Sequence, residues 1–71
     1  MINKDLLRQK VEESGIKYTH IAKCLGITER GLKYKINGGS QFKADEIGKI
    51  RDILRLDPET LSAIFFTNDV A

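Results

Sequence analysis

Residues 18–37 read YTHIAKCLGITERGLKYKIN, and their apolar rhythm is that of two short helices joined by a turn. Ile21 and Leu25 stand four apart, so they share one side of a helix running from about Tyr18 to Leu25. Ala22 between them is small enough to let another helix cross closely. Gly26 follows where the chain must reverse with a positive φ, a conformation glycine adopts without steric cost. Thr28 then occupies an N-cap position, its hydroxyl free to accept from the backbone N–H of Arg30 or Gly31. The next helix, about Glu29 to Ile36, buries Leu32 and Ile36 at i and i+4, and Asn37-Gly38-Gly39 stops it.

Similar signals extend to both sides. Asn3 caps a first helix, with Ile2 before it and Leu7 within it at the spacing of a hydrophobic staple. Leu6, Leu7 and Val11 share a face, and Gly15 ends the helix. After GGSQF, Ile47, Ile50, Ile53 and Leu54 make a stripe on a helix from about Ala44 to Leu54. DPETL is a further start signal, with Asp57 as cap, Pro58 in the first turn and Glu59 near the positive end of the dipole. That helix runs into AIFF. No segment sustains a period of two, so the expected fold is all-α, a bundle of about five short helices.

At 71 residues the chain is read as one domain, residues 1–71, with a small core that association with a second copy would help. It is 41% hydrophobic and 31% charged, a composition that folds rather than one that stays disordered. No apolar run nears the roughly 20 residues a membrane helix needs. The start MINKDLLRQK lacks an apolar signal core, and the single cysteine cannot form an internal disulfide, so a cytoplasmic protein is expected. The net charge of +2 is unevenly spread. Residues 17–43 hold six basic side chains against one acid, Glu29, while the remainder holds six bases and nine acids. A basic centre with acidic flanks is the distribution of a polyanion binder.

Two helices with glycine opening the turn between them form the pattern of the helix-turn-helix. With Tyr18 as the first position, Ile21 falls fourth, Ala22 fifth, Leu25 eighth, Gly26 ninth, Ile27 tenth and Leu32 fifteenth. The longer pattern G-I-x-x-x-x-I-A-x-x-L-G-I-T…L…I-N-G, over roughly residues 5–66, resembles the Cro/repressor-type (XRE-like) helix-turn-helix superfamily. It looks most like the small Cro-like regulators of phages and prophages, whose fold is the lambda-repressor-like DNA-binding domain. Three departures stand out: Tyr18 replaces a frequent glutamine, Lys35 replaces a frequent apolar residue, and Gly31 lies inside the second helix of the motif at a cost of about 1 kcal/mol.

Turning Leu32 and Ile36 inward directs Glu29, Arg30, Lys33 and Tyr34 outward. The resemblance places these four at base edges in the major groove. Arg30 and Lys33 would donate to guanine O6 and N7, Glu29 would accept from cytosine N4, and Tyr34 would pack on a thymine methyl or bond a phosphate, its alternative being to cover the edge of the core with its hydroxyl in water. Arg30 is the residue on which base reading is staked; Glu29 and Lys33 have alternative uses as dipole partner and solvated surface. Phosphate contacts are expected at helix starts and in the loop, from Lys17, Tyr18, Thr19, Thr28, Asn37 and Ser40, with Lys35 and Lys43 adding attraction at longer range.

The resemblance further implies a two-fold homodimer on a pseudo-palindromic site of double-stranded DNA. The expected dimer surface is C-terminal, because Leu61, Ile64, Phe65 and Phe66 put more apolar bulk into one short helix than a small core needs. Leu61 is expected to close the core, and Phe65 or Phe66 to stay exposed. His20 and Cys24 are four apart, but a structural zinc site takes four ligands and the chain has no other Cys or His. No catalytic set is visible, so no enzyme activity, metal, cofactor, membrane or small-molecule substrate is expected. The function so read is transcriptional repression. The alternatives are an antitoxin-type regulator, and a protein-interaction module that keeps the fold without reading DNA.

Overall fold

A computed structural model describes residues 2–66. Those residues form five helices: α1 Lys4–Ser14, α2 Tyr18–Leu25, α3 Glu29–Ile36, α4 Ala44–Leu54 and α5 Pro58–Phe65. There is no strand among them. The radius of gyration is 11.3 Å, close to the roughly 11 Å of a folded domain of this length. No helix among the described residues is long and apolar enough to cross a membrane.

Local chemistry sets most helix limits. Asn3 Oδ1 accepts from the Leu6 N–H at 3.2 Å, and Gly15 closes α1 in the left-handed region, its N–H donating to Glu12. Asp57 Oδ1 accepts from the Thr60 N–H at 2.7 Å ahead of Pro58. That hydrogen bond holds the Asp57 carboxyl below its ordinary value. Arg55 ends α4 with φ 53, a left-handed conformation that a non-glycine residue adopts at some cost.

The core joins all five helices. Leu7 and Val11 of α1, Ile21, Ala22 and Leu25 of α2, Leu32 and Ile36 of α3, Ile50 of α4, and Ile64 and Phe65 of α5 are buried. Removing a side chain such as Leu7, Leu32 or Ile50 to alanine would cost about 2–5 kcal/mol at such sites. The α2 helix packs on α3 and α4, and α1 on α4 and α5. The Asn3 N–H donates to the Ile64 carbonyl at 2.7 Å, tying the head of α1 to the end of α5. In α4, Ile47, Ile53 and Leu54 are only partly covered, whereas Glu46 is buried.

The C-terminal surface differs from expectation. Ile64 is fully buried and Phe65 nearly so, its ring meeting Phe42 edge to face with centroids 5.5 Å apart. Leu61, Ile64 and Phe65 stand at i, i+3 and i+4, so one helical face carries all three, and that face is turned to the core. Leu61 is half-buried, and Phe66, just past the end of α5, is 59% exposed. Of the four residues expected at the surface, Ile64 and Phe65 are therefore turned inward, and Phe66 is the exposed aromatic residue, as one of Phe65 and Phe66 was expected to be.

Candidate nucleic-acid interface

The α2–α3 junction is three residues long. Gly26 has φ 75, its N–H bonds back into α2, and the Ile27 N–H reaches the Ala22 carbonyl at 3.0 Å. Thr28 Oγ1 accepts from the Gly31 N–H at 3.0 Å and so fixes where α3 begins. With Leu32 and Ile36 buried, α3 turns the side carrying Arg30, Lys33 and Tyr34 to solvent, with Glu29 partly exposed beside it.

These four side chains are not equally available. Glu29 and Lys33 form an i,i+4 ion pair at 3.0 Å. The Lys33 ammonium also sits 5.4 Å from the Tyr18 ring centroid, within cation–π range. Tyr34 is 61% exposed. Arg30 is exposed, and its side chain has no hydrogen bond or ion pair among the described residues. Its five donors are thus uncommitted on this face.

A cleft of about 280 Å³ lies beside that face, lined by Arg8, Tyr18, Lys33, Ile36 and Asn37. An Arg8 guanidinium nitrogen donates to Asn37 Oδ1 across 29 positions of sequence. Arg8 was not among the expected site residues, and no local pattern marks it. Lys17 supplies no side-chain cap to α2, which leaves the first-turn N–H groups of Tyr18 and Thr19 uncapped next to this cleft. Tyr18, Lys33 and Asn37 are brought together here. Ser40 is not: it lines a different hollow, of about 520 Å³, with Ile2, Phe42, Ile47 and Phe66.

Lys35 also departs from its expected role. Its ammonium lies 2.7 and 2.9 Å from the two Glu46 carboxylate oxygens, with only 15% and 7% of the two side chains exposed. Glu46 Oε1 accepts the Lys43 N–H as well, at 2.8 Å. Burial pushes the Glu46 carboxyl up, but those hydrogen bonds and the Lys35 and Lys43 charges outweigh it, and the carboxyl titrates below its ordinary value. Lys35 is drawn off the outer side because it precedes buried Ile36 and meets the head of α4, where the carboxylate waits. It is a tether between α3 and α4, not a free cation.

On the outer side of α2, Cys24 Sγ and His20 Nε2 come within 3.6 Å, both exposed. No group of three metal-ligating side chains occurs among the described residues.

No curated protein and no solved structure matches the chain. A protein family of unknown function, DUF739, matches residues 3–68. Because that match spans all five helices, the chain belongs to the DUF739 family.

Proposed function

We propose that the chain is a sequence-specific regulator of transcription that binds double-stranded DNA. In this reading it is a helix-turn-helix protein of the Cro/repressor type, a Cro-like phage or prophage repressor acting as a homodimer on a pseudo-palindromic operator. The observation that carries the reading is the unpaired, exposed Arg30 on the outer side of α3, a helix whose inner side is locked by Leu32 and Ile36. A guanidinium there is ready to donate bidentately to guanine O6 and N7. The Glu29–Lys33 pair does not close the face. An exposed i,i+4 pair is worth only about 0.3–0.5 kcal/mol, so it is a weak competitor for Lys33 against an acceptor on DNA.

Arg8 and Lys33, with the uncapped head of α2, supply positive potential for backbone phosphates flanking the groove. The exposed Phe66 is the anchor of the two-fold contact that would set two α3 helices about one duplex turn apart.

The test is binding-site selection from random duplex DNA, repeated at two salt concentrations. The expected result is a preferred site whose affinity falls steeply as salt rises, with a slope set by the phosphate contacts. Arg30→Ala should relax preference at one base pair by about 1–3 kcal/mol. Binding with neither a salt slope nor a preferred site overturns the reading. One observation favours a second reading, an interaction module or antitoxin-type partner binder: Phe66 stands exposed at the rim of the 520 Å³ hollow. That reading requires a protein partner lost on Phe66→Ala and insensitive to Arg30→Ala.

A further inference from the structure

We infer that Gly39 is a positioning residue for Tyr34, and that Tyr34, seated on it, is a fixed base-reading platform at the end of α3. The inference rests on the DNA-binding reading and assigns a specificity device to that same face.

Tyr34 is a large exposed aromatic side chain, yet its ring is not free in space. A methyl group built on Gly39 would lie 2.3 Å from Cε1, 2.4 Å from Cζ and 2.6 Å from Cδ1 of Tyr34. Three successive ring atoms at nearly equal distances put that point over the flat of the ring. An approach from the edge would leave the two outer atoms much farther than the middle one. The ring therefore lies face down on Gly39 while 61% of the residue remains exposed.

The backbone holds both partners in register. The Gly39 N–H donates to the Tyr34 carbonyl at 2.9 Å, and the Gly38 N–H to Lys35 at 3.1 Å, so the chain leaving α3 folds back over the turn that carries the tyrosine. Gly38 has φ 92 and is glycine for the sake of the backbone. Gly39 is outside the positive-φ region, so its backbone accepts a side chain without strain. What a side chain at 39 meets is the tyrosine ring. Because that ring ends an exposed side chain, it swings away rather than breaking the fold. Gly39 is thus a seat.

A seated ring has its two side-chain torsions fixed before any ligand arrives, which lowers the ordering cost of binding and fixes the contact it makes. On the outer side of α3, with Arg30 one turn earlier, the fitting partner is a base edge, and a thymine methyl is the apolar group a ring can meet there. The seat then decides which base pair the ring reaches.

Two measurements test this together. In the NMR spectrum of the free protein, the Gly39 Hα that a methyl would replace should be shifted upfield by the ring current, and Tyr34→Leu should abolish the shift. No shift, or one that survives Tyr34→Leu, overturns the inference without touching the DNA reading. The DNA site selected by the unaltered protein, and its single-base-pair variants, are then bound by Gly39→Ala, Tyr34→Leu and the double variant. Both single variants should lose about fivefold or more discrimination at the same base pair, and the double variant should be no worse than Tyr34→Leu. A Gly39→Ala protein that keeps full discrimination, or weakens every site equally, overturns the inference while the DNA reading stands. If the unaltered protein selects no site, the DNA reading fails and the inference fails with it.

Discussion

The two ends of α3 are fixed by different means. At its start, a junction of three residues is held by backbone and cap: Gly26 and Ile27 bond back to α2, and Thr28 bonds forward to Gly31. At its end, the chain needs residues 37–43 to reach α4. There the Gly38 and Gly39 N–H groups close the last turn, but the contacts that carry the chain on to α4 are between side chains: Lys35 on Glu46, the Lys35 ammonium 5.9 Å from the Phe42 ring centroid, and Phe42 against Phe65. A junction made of peptide groups carries no charge that changes with pH. One closed by a lysine–glutamate pair does. The connection before α3, Gly26 to Thr28, therefore holds no titrating group, whereas the one after it is closed by a pair that titrates.

The sharpest way to break this contrast is Lys35→Met, which leaves the buried Glu46 carboxylate with the Lys43 N–H alone. Unfolding by urea should show a loss of about 3 kcal/mol, the lower end for stranding a buried charge. A loss below about 1 kcal/mol would mean the pair is only an exposed one. The acid response follows from the same pair. The folded Glu46 carboxyl titrates below its unfolded value of 4.5, so its stabilisation is complete above that pH and fades as pH falls through the lowered value. Thermal melts from pH 6 downward should show this loss in the natural chain, with a shallower slope in Lys35→Met.

The head of α3 calls for smaller, pH-independent changes. Gly26→Ala meets no neighbouring atom within 4 Å, so its cost is the left-handed backbone alone, about 1–2 kcal/mol. Thr28→Ala removes the cap for about 1 kcal/mol. If either loss varied with pH as the Lys35→Met loss does, the division between the two ends would collapse.

The same division explains what could be read from the chain. Asn3, Gly15, Gly26, Thr28 and Asp57 each act on groups within about four positions, and the helix limits they imply agree with the observed ones. The inward Leu32 and Ile36, and with them the outward Arg30 and Tyr34, followed from helical period. Contacts between distant parts were not legible. Lys35 meets Glu46 eleven positions on, and Arg8 meets Asn37 across 29 positions. A buried glutamate has no periodic signature to distinguish it from a surface one. Apolar bulk in α5 exceeds what one helical face buries, so the sequence alone does not assign Phe65 to the core. Phe42, reaching back from the α3–α4 connection, provides the missing neighbour.

The seating of Tyr34 over Gly39 and of Tyr18 beneath Lys33 has a practical consequence. The chain contains no tryptophan and only these two tyrosines. Excited at wavelengths that phenylalanine does not absorb, its ultraviolet emission therefore comes from rings flanking the outer side of α3. An unlabelled fluorescence titration should report directly on whatever settles there, with no probe attached.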